Sequence, residues 1–361
     1  MSGSATLTSK RPTKPRQNSA KRKRPRITEA LNYFVSEKGG LRFVSSGCTL
    51  LDCVLGGGYV LGRITNIVGD KSTAKTALAT EALINFKLQY PEGHAAYRES
   101  EAAFDQGYAK AMGLPIKQID FGDPNDPLQT VEGFARDFNA FLDDQLKRGT
   151  PGIYVLDSLD ALSDEEEIDA DLSKNTYGAR KAKALSIFFR TTARRIEKSQ
   201  VILLVISQVR DNIGVRFGEK HKRSGGRALD FYASQVLWLS HLRTNKKSIE
   251  KVERPYGIMV KAKAKKNKVA LPFRECEFPF IFGYGVEDLT ANVTWLHEIG
   301  RLPDADIAAN EYKEYLRAID KMTHEEYIVE QKAIAKVVKR VWAQIETTFL
   351  PRRAKYKQVD E

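Results

Sequence analysis

The sequence over residues 69–76 is Gly69-Asp70-Lys71-Ser72-Thr73-Ala74-Lys75-Thr76. An apolar run at 64–68 precedes it, and apolar residues follow at helical spacing, which together predict a strand, a phosphate-binding loop and a helix. Backbone N–H groups at a helix N-terminus bind phosphates, a Lys neutralises the outer phosphates, and a hydroxyl holds Mg²⁺. Lys75 and Thr76 are the candidates for the last two roles. The stretch therefore predicts a site for a nucleoside triphosphate.

The loop departs from the usual pattern at Ala74, where glycine is the common residue. Alanine adds a Cβ at a crowded turn. Taken alone, the loop leaves two interpretations open, a nucleotide site and an unrelated glycine-containing turn. The rest of the sequence has to distinguish them.

Length and composition limit the class of protein. A chain of 361 residues can bury one large core and still form a smaller domain and tails. The longest apolar run, residues 201–206, is too short to cross a bilayer, so no membrane segment is expected. No apolar stretch of signal-peptide length follows the basic N-terminus, and Cys48, Cys53 and Cys276 have neither zinc nor disulfide spacing. These features together predict a cytoplasmic protein.

The N-terminal region is strongly basic. Residues 1–26 carry nine Lys and Arg residues and no acidic residue, within a formal net charge of +12. This composition predicts a disordered tail that either binds a polyanion or only keeps the chain soluble. Residues 27–40 have apolar side chains at helical spacing and end in two glycines, which predicts a short helix. That helix would pack on its own core or dock on a neighbouring subunit as a polymerisation element.

The segment leading into the phosphate loop carries a family resemblance. A serine-glycine turn, a Leu-Asp pair at 51–52 and three glycines at 56–58 precede the loop. The stretch from Ser46 to Thr76 resembles the start of the RecA recombinase core, and the resemblance extends over roughly residues 40–290. It implies an α/β P-loop ATPase core over residues 41–294, a mostly parallel sheet flanked by helices, with ATP and Mg²⁺ as ligands.

Two carboxylates, Glu99 and Glu101, follow the apolar run at 95–97. A carboxylate at the C-terminal end of the strand beside the phosphate loop can deprotonate the water that attacks the γ-phosphate. The segment resembles the catalytic-glutamate motif of RecA, and that match selects Glu101 over Glu99. The same match implies that Asp105 and Tyr108 contact and stack on adenine.

A second apolar run, residues 152–156, ends in Asp157-Ser158. This is typical of a buried parallel strand that delivers a carboxylate to the Mg²⁺ water shell. Its position about eighty residues after the loop matches RecA, so Asp157 joins Thr76 as a predicted metal ligand, and Ser158 is grouped with the nucleotide-binding residues. The next segment, 163–175, resembles the first DNA loop of RecA, although its carboxylates would repel phosphates unless they faced away.

The apolar run at 201–206 ends in Ser207-Gln208, and a glycine-rich basic segment at 209–227 follows. The segment resembles the second DNA loop of RecA. The resemblance implies that Gln208 senses the γ-phosphate and that the loop is ordered by a phosphate backbone. The implied DNA contacts are Arg210, Arg216, Phe217, Gly225, Gly226 and Arg227, with Phe217 a neighbouring-subunit or base-spacing contact.

The core is predicted to continue through two β-like segments, 234–240 and 256–264, separated by a charged insertion at 243–254. Lys266 and Lys268 then resemble the Lys-Asn-Lys motif of RecA, whose lysines reach the neighbouring subunit's ATP as an arginine finger does. From residue 295 the pattern becomes helical, which predicts a small C-terminal domain or cap over 295–361.

Taken together, the motifs predict an ATP-dependent homologous recombinase, a DNA-dependent ATPase that forms a filament on single-stranded DNA and pairs it with homologous duplex DNA. ATP would lie at the interface between subunits of the filament. Two alternatives remain open. One is a ring-forming helicase or motor with the same core, and the other is a non-hydrolysing, ATP-gated accessory protein for recombination, which Ala74 allows.

Overall fold

A computed structural model describes residues 40–101, 104–165, 177–211, 221–223 and 226–350. The predicted basic tail and residues 27–39 of the predicted N-terminal helix lie outside this part of the chain. Within the described residues, no helix is both long and apolar enough to cross a membrane.

Strands and helices alternate through the first two thirds of the described chain, as the motifs predicted. The strands are β1 (Phe43–Val44), β2 (Tyr59–Val60), β3 (Ile64–Gly69), β4 (His94–Glu99), β5 (Ile119–Asp120), β6 (Gly152–Asp157), β7 (Val201–Asp211), β8 (His221–Arg223), β9 (Gln235–Ile249), β10 (Val252–Asn267), β11 (Glu275–Ile281) and β12 (Gly285–Val286). The α-helices are α1 (Thr49–Leu55), α2 (Lys75–Gln89), α3 (Gln106–Ala111), α4 (Val131–Arg148), α5 (Tyr177–Ser199), α6 (Gly226–Tyr232), α7 (Asp288–Glu298), α8 (Tyr312–Ile319) and α9 (His324–Phe349).

The main sheet has the order β12-β11-β10-β9-β3-β7-β6-β4-β5, and β8 pairs with β7 outside this path. The strands from β9 to β5 are parallel to their neighbours, while β10, β11 and β12 add an antiparallel edge. Residues 201–206 of β7 are fully buried. Helices cover both faces of this parallel strand, which explains why its sequence is continuously apolar. The predicted α/β fold with a mostly parallel sheet is confirmed.

Helices cover both faces of the sheet. On one face, α1, α2, α7 and α9 pack into a cluster that includes Leu78, Leu289 and Val338. On the other face, α4 and α5 pack through aromatic residues such as Phe138 and Phe189. The result is three layers, in which the edge formed by the C-terminal ends of the parallel strands stays open for a site.

The charged segment 243–254 is not an insertion between two strands. β9 and β10 continue through it as one antiparallel hairpin, which turns at Glu250 and Lys251, both with positive φ (51° and 65°). Both faces of this ribbon are exposed from residue 240 to residue 256 apart from half-buried Asn245. The two predicted β-like segments, 234–240 and 256–264, were therefore too short, because a strand with solvent on both faces has no apolar alternation to reveal it.

The C-terminal helices belong to the same hydrophobic cluster as the sheet. Ile334, Val338 and Val341 of α9 are buried together with residues of α1 and α7. Arg274, just before β11, donates to the carboxylate of Glu346 near the end of α9 at 2.8 Å. The division at residue 295 stays a prediction, and the packing shows α9 lying against α1 and α7, which in turn contact the antiparallel edge of the sheet.

Candidate nucleotide-binding and catalytic site

The predicted phosphate-binding loop is the turn between β3 and α2. β3 ends at Gly69 and α2 begins at Lys75, so the turn presents its backbone N–H groups at a helix N-terminus. A Cβ at position 69 would lie 2.4 Å from Thr73 Oγ1, which explains the glycine there. Ala74 has φ 66° and ψ 24°, the left-handed conformation that glycine adopts most easily.

Lys75 lies over this turn. Its Nζ donates to the Asp70 carbonyl at 2.7 Å. Burial lowers the pKa of Lys75, while the carboxylates of Asp157 and Glu101 act in the opposite direction. The ammonium group is thereby placed among acceptors that a phosphate could replace.

Thr76 and Asp157 meet at the end of β6. Thr76 Oγ1 donates to Asp157 Oδ2 at 2.6 Å, and the Tyr97 hydroxyl donates to the same oxygen at 2.8 Å. Asp157 is buried, and burial raises its pKa although these two hydrogen bonds lower it. A hydroxyl and a carboxylate side by side are hard oxygen ligands, so this pair fits Mg²⁺ held jointly with phosphates and water. Among the described residues, no group of three or more His, Cys, Asp or Glu side chains is arranged to hold a metal.

The predicted catalytic carboxylate is held by two side chains from neighbouring strands. Glu101 Oε1 accepts a hydrogen bond from the Ser158 hydroxyl and another from Gln208 Nε2, the latter at 2.9 Å. The backbone N–H of Ser158 donates to Ser100 Oγ at 2.9 Å. Residues predicted separately at three strand ends therefore form one connected group.

The register of the sheet explains this convergence. Gly69 of β3 lies opposite Gln208 of β7, and Glu99 of β4 lies opposite Asp157 of β6. Since β3, β7, β6 and β4 are parallel neighbours, their C-terminal ends meet at one edge of the sheet.

A cleft of 390 Å³ extends from the phosphate loop between α3 and the antiparallel edge of the sheet. Phe104, Asp105 and Tyr108 line one side. The Asp105 carboxylate caps α3 by accepting from Tyr108 N at 2.9 Å, so in this structure it orders the wall of the cleft.

Sequence reasoning missed the opposite wall of the cleft, which consists of Ile258, Phe280 and Phe282. The backbone N–H of Gly283 donates to the Tyr108 hydroxyl at 3.0 Å and joins the two walls. The apolar run at 278–282 was the available signal, but a run of this kind is equally typical of a core strand.

The two predicted trans-acting lysines do not lie at the phosphate loop of their own chain. Lys266 Nζ and Lys268 Nζ donate to the Phe231 carbonyl at the end of α6, at 3.0 and 3.2 Å. Ser234 connects this corner to Ile64, the first residue of β3, whereas the phosphate loop follows the last. The length of β3, roughly 16 Å, therefore separates them from the phosphate loop of the same chain.

The predicted DNA-binding residues are only partly described. Arg210 lies in β7, and its backbone pairs with Lys222 of β8. Gly226 and Arg227 begin α6. Arg216, Phe217 and Gly225 lie outside the described residues, as does most of the first predicted DNA loop after residue 165.

Comparison with known proteins adds a family match. The family model described as the RecA N-terminal domain matches residues 32–287. Protein RecA of Synechocystis sp. is 36% identical over 251 residues, covering 69% of this chain and 67% of the relative. Protein RecA of Nostoc punctiforme is 36% identical over 257 residues, covering 71% of this chain and 67% of the relative. Protein RecA of Prochlorococcus marinus is 33% identical over 246 residues, covering 68% of this chain and 61% of the relative.

Proposed function

Because the chain belongs to the RecA family of recombinases, we propose that it is a DNA-dependent ATPase that forms a filament on single-stranded DNA and exchanges strands with homologous duplex DNA. One observation supports this most directly. Lys75, the Thr76–Asp157 pair and the Glu101–Gln208 pair converge at one edge of the sheet. These are the groups that nucleotide hydrolysis and its coupling to another ligand require.

The nucleotide would lie along the cleft. Its phosphates would occupy the turn at 70–74, where the Lys75 ammonium exchanges the Asp70 carbonyl for a phosphate oxygen. Its adenine would lie between Tyr108 and Phe282, whose aromatic faces suit a planar base. Mg²⁺, held by Thr76 and Asp157, would neutralise charge on the outer phosphates.

Hydrolysis would depend on Glu101. Its carboxylate is partly exposed to solvent and is oriented by Ser158 and Gln208. It would accept the proton of the attacking water, and Lys75 would stabilise charge that develops on the phosphate oxygens.

Gln208 would couple nucleotide and DNA. Its amide now donates to Glu101, and it lies in β7 three residues before the described part of that strand ends. When a γ-phosphate is present, the amide would donate to a phosphate oxygen instead, and the segment 209–227 would move with it. The grip on DNA would thus follow the state of the nucleotide.

Lys266 and Lys268 support the filament part of the proposal. They lie at the other end of β3 from the phosphate loop, so they would act on the nucleotide of a neighbouring subunit. A protein that acts on cellular DNA with ATP would work in the bacterial cytoplasm or in the cytoplasm of a phage-infected host.

The test is ATP turnover with and without single-stranded DNA, combined with electron microscopy of the mixture. We expect turnover that DNA stimulates, and helical filaments in the presence of a slowly hydrolysed ATP analogue. Lys75→Ala should abolish turnover, whereas Lys87→Ala, a change of the same kind at the far end of α2, should not. Rings that unwind duplexes without strand exchange would indicate a motor, and absence of any turnover would indicate an accessory protein.

A further inference from the structure

Asp160 lies beside the catalytic group, although no motif predicted it. After β6 ends at Asp157, the chain continues in the same direction along β7, where Leu159 N donates to the Ile206 carbonyl at 3.0 Å. This path brings Asp160 level with Gln208. The Asp160 carboxylate, through Oδ2, accepts a hydrogen bond from the backbone N–H of Gln208 at 2.7 Å.

This hydrogen bond takes the place of a strand-to-strand bond. β6 and β7 pair in register only as far as Leu156 and Val205. Beyond that point the Asp157 carbonyl accepts from Ser100 N, on the β4 side, at 2.9 Å, and the carboxylate of Asp160 receives the Gln208 N–H. A charged acceptor makes this bond stronger than a neutral one.

The position of the Gln208 backbone determines whether its side-chain amide can reach Glu101. Its amide Nε2 is 2.9 Å from Glu101 Oε1, so at an unchanged rotamer a backbone shift of about 1 Å away from Glu101 would lengthen the contact beyond hydrogen-bonding distance. Asp160 is also tied to the helix that follows the first predicted DNA loop, because Lys181 Nζ donates to its carbonyl at 3.3 Å. One residue therefore contacts the residue just before the second predicted DNA loop and the helix that follows the first.

We propose that Asp160 is a positioning residue that holds the backbone of Gln208, so that its amide reaches Glu101 in the nucleotide-free chain and the γ-phosphate once nucleotide binds, and that it transmits DNA binding at the two loops to the catalytic group. The inference rests on the proposed function and deepens it, because it assigns the coupling between DNA and hydrolysis to one carboxylate. Asp160 acts through Gln208 and not on the nucleotide itself.

Hydrogen exchange tests the hydrogen bond independently of activity. In the unaltered, nucleotide-free chain, the Gln208 amide should exchange slowly. In Asp160→Ala it should exchange at least about tenfold faster, because the acceptor is lost. Asp160→Asn keeps an oxygen that can accept, so its exchange should stay within about threefold of the unaltered chain. A Gln208 amide that exchanges quickly in the unaltered chain, or that is unaffected by Asp160→Ala, would overturn the inference.

Turnover tests the coupling. We expect Asp160→Ala to lower DNA-stimulated turnover about tenfold while the affinity for a fluorescent ATP analogue stays within about twofold. Asp143→Ala, which removes an equal charge on α4, should change neither. In a Gln208→Ala background, Asp160→Ala should cause no further loss, and an independent loss would contradict action through Gln208.

The two proposals fail in different ways. If the unaltered chain shows no DNA-stimulated turnover, the proposed function is wrong, while the exchange experiment still decides whether Asp160 holds Gln208. If the unaltered chain is stimulated normally and Asp160→Ala is stimulated to the same extent, the inference about Asp160 is wrong and the proposed function stands.

Discussion

Ala74 is one of the non-glycine residues that adopt a left-handed backbone conformation. It precedes α2 with φ 66°, and its side chain makes no capping hydrogen bond. A left-handed conformation costs an L-residue roughly 1 kcal/mol compared with glycine. The turn nevertheless forms, and Thr73 Oγ1 donates to the Asp70 carbonyl at 2.8 Å within it.

Ala74→Gly should therefore stabilise the protein. We expect the free energy of unfolding to rise by about 0.5 kcal/mol, because relief of the left-handed strain outweighs the added freedom of the unfolded chain. ATP turnover should change less than about twofold, since the backbone already has the required shape. Urea unfolding and steady-state kinetics measure both quantities.

The control for this change is Ala182→Gly at an exposed position inside α5. Glycine there should lower the free energy of unfolding by about 1 kcal/mol. If both glycine variants are destabilised alike, the assignment of strain to Ala74 is wrong.

Glu101→Gln should separate binding from chemistry. The amide can still accept from Ser158 and Gln208, but it cannot take a proton from water. Turnover should fall by at least about a hundredfold, while the affinity for ATP stays within about threefold. Glu99→Gln, in the neighbouring carboxylate that was not selected, should lose much less activity. Equal losses in the two variants would refute the choice of Glu101.

At the level of elements, helix α2 is held at its N-terminus and at its middle. Its N-terminus carries the phosphate loop, and Glu81 in its middle reaches β12, where it accepts from Val286 N at 2.5 Å. Two glycines make room for this carboxyl group, since a Cβ at Gly47 or Gly285 would lie 1.9 or 2.3 Å from its oxygens. Burial raises the pKa of Glu81 to about 8, with Asp288 and Asp52 acting in the same direction.

The raised pKa predicts how stability depends on pH. The folded chain binds the Glu81 proton more tightly than the unfolded chain, so this contribution is complete below pH 4.5 and is lost as pH rises towards about 8. Glu81→Gln stays neutral at every pH. Relative to this variant, the unaltered chain should lose at least about 2 kcal/mol of unfolding free energy between pH 5 and pH 8.

Urea unfolding of the two chains across this pH range measures the difference. Asp52 and Asp288 titrate in both chains, so their contributions largely cancel in the comparison. A constant difference between the two chains would mean that Glu81 has an ordinary pKa.

Helix α9 offers a matched pair of valines. Val338 is fully buried in the cluster beneath the sheet, whereas Val329, on the same helix, is 69% exposed. Val338→Ala should cost about 2 kcal/mol of unfolding free energy, and Val329→Ala less than about 0.5 kcal/mol. One cooperative transition in both variants would mean that the helix unfolds with the sheet. Two separate transitions would indicate an independent domain after residue 295.

For the whole molecule, the large positive net charge determines how binding to a nucleic acid should depend on salt. The formal net charge is +12, and the segment 1–26 supplies nine positive and no negative side chains. Binding to a nucleic acid releases one counterion for nearly every phosphate neutralised, so the affinity should fall steeply as salt increases.

Removal of residues 1–26 separates the two interpretations of the tail. If the tail contacts DNA, the slope of log affinity against log salt should become shallower by several units, because fewer phosphates are neutralised. If the tail only keeps the chain soluble, the slope should not change. Fluorescence anisotropy with a labelled single strand, measured from about 50 to 200 mM salt, distinguishes these outcomes.

Features that depend on a local sequence pattern were predictable, whereas features that depend on contacts across the fold were not. The phosphate turn, β6 ending at Asp157 and β7 leading to Gln208 were predictable, because each is a local pattern in which an apolar run is followed by a characteristic polar or glycine residue. The ribbon of β9 and β10 was not, since its exposed faces give no alternation. The Ile258–Phe282 wall and Asp160 were not predictable either, because their roles arise from contacts across the fold.

The amino-acid sequence by itself determined the α/β class, the order of the nucleotide-binding motifs and the family, because these depend on periodicity and on short spacings along the chain. Only the tertiary structure decided which side chains meet. Strands far apart in sequence become neighbours in the sheet, and their register puts Glu101, Ser158 and Gln208 within hydrogen-bonding distance. The same register places Asp160 against the backbone of Gln208. Such contacts depend on strand order and register, which no local pattern of residues specifies.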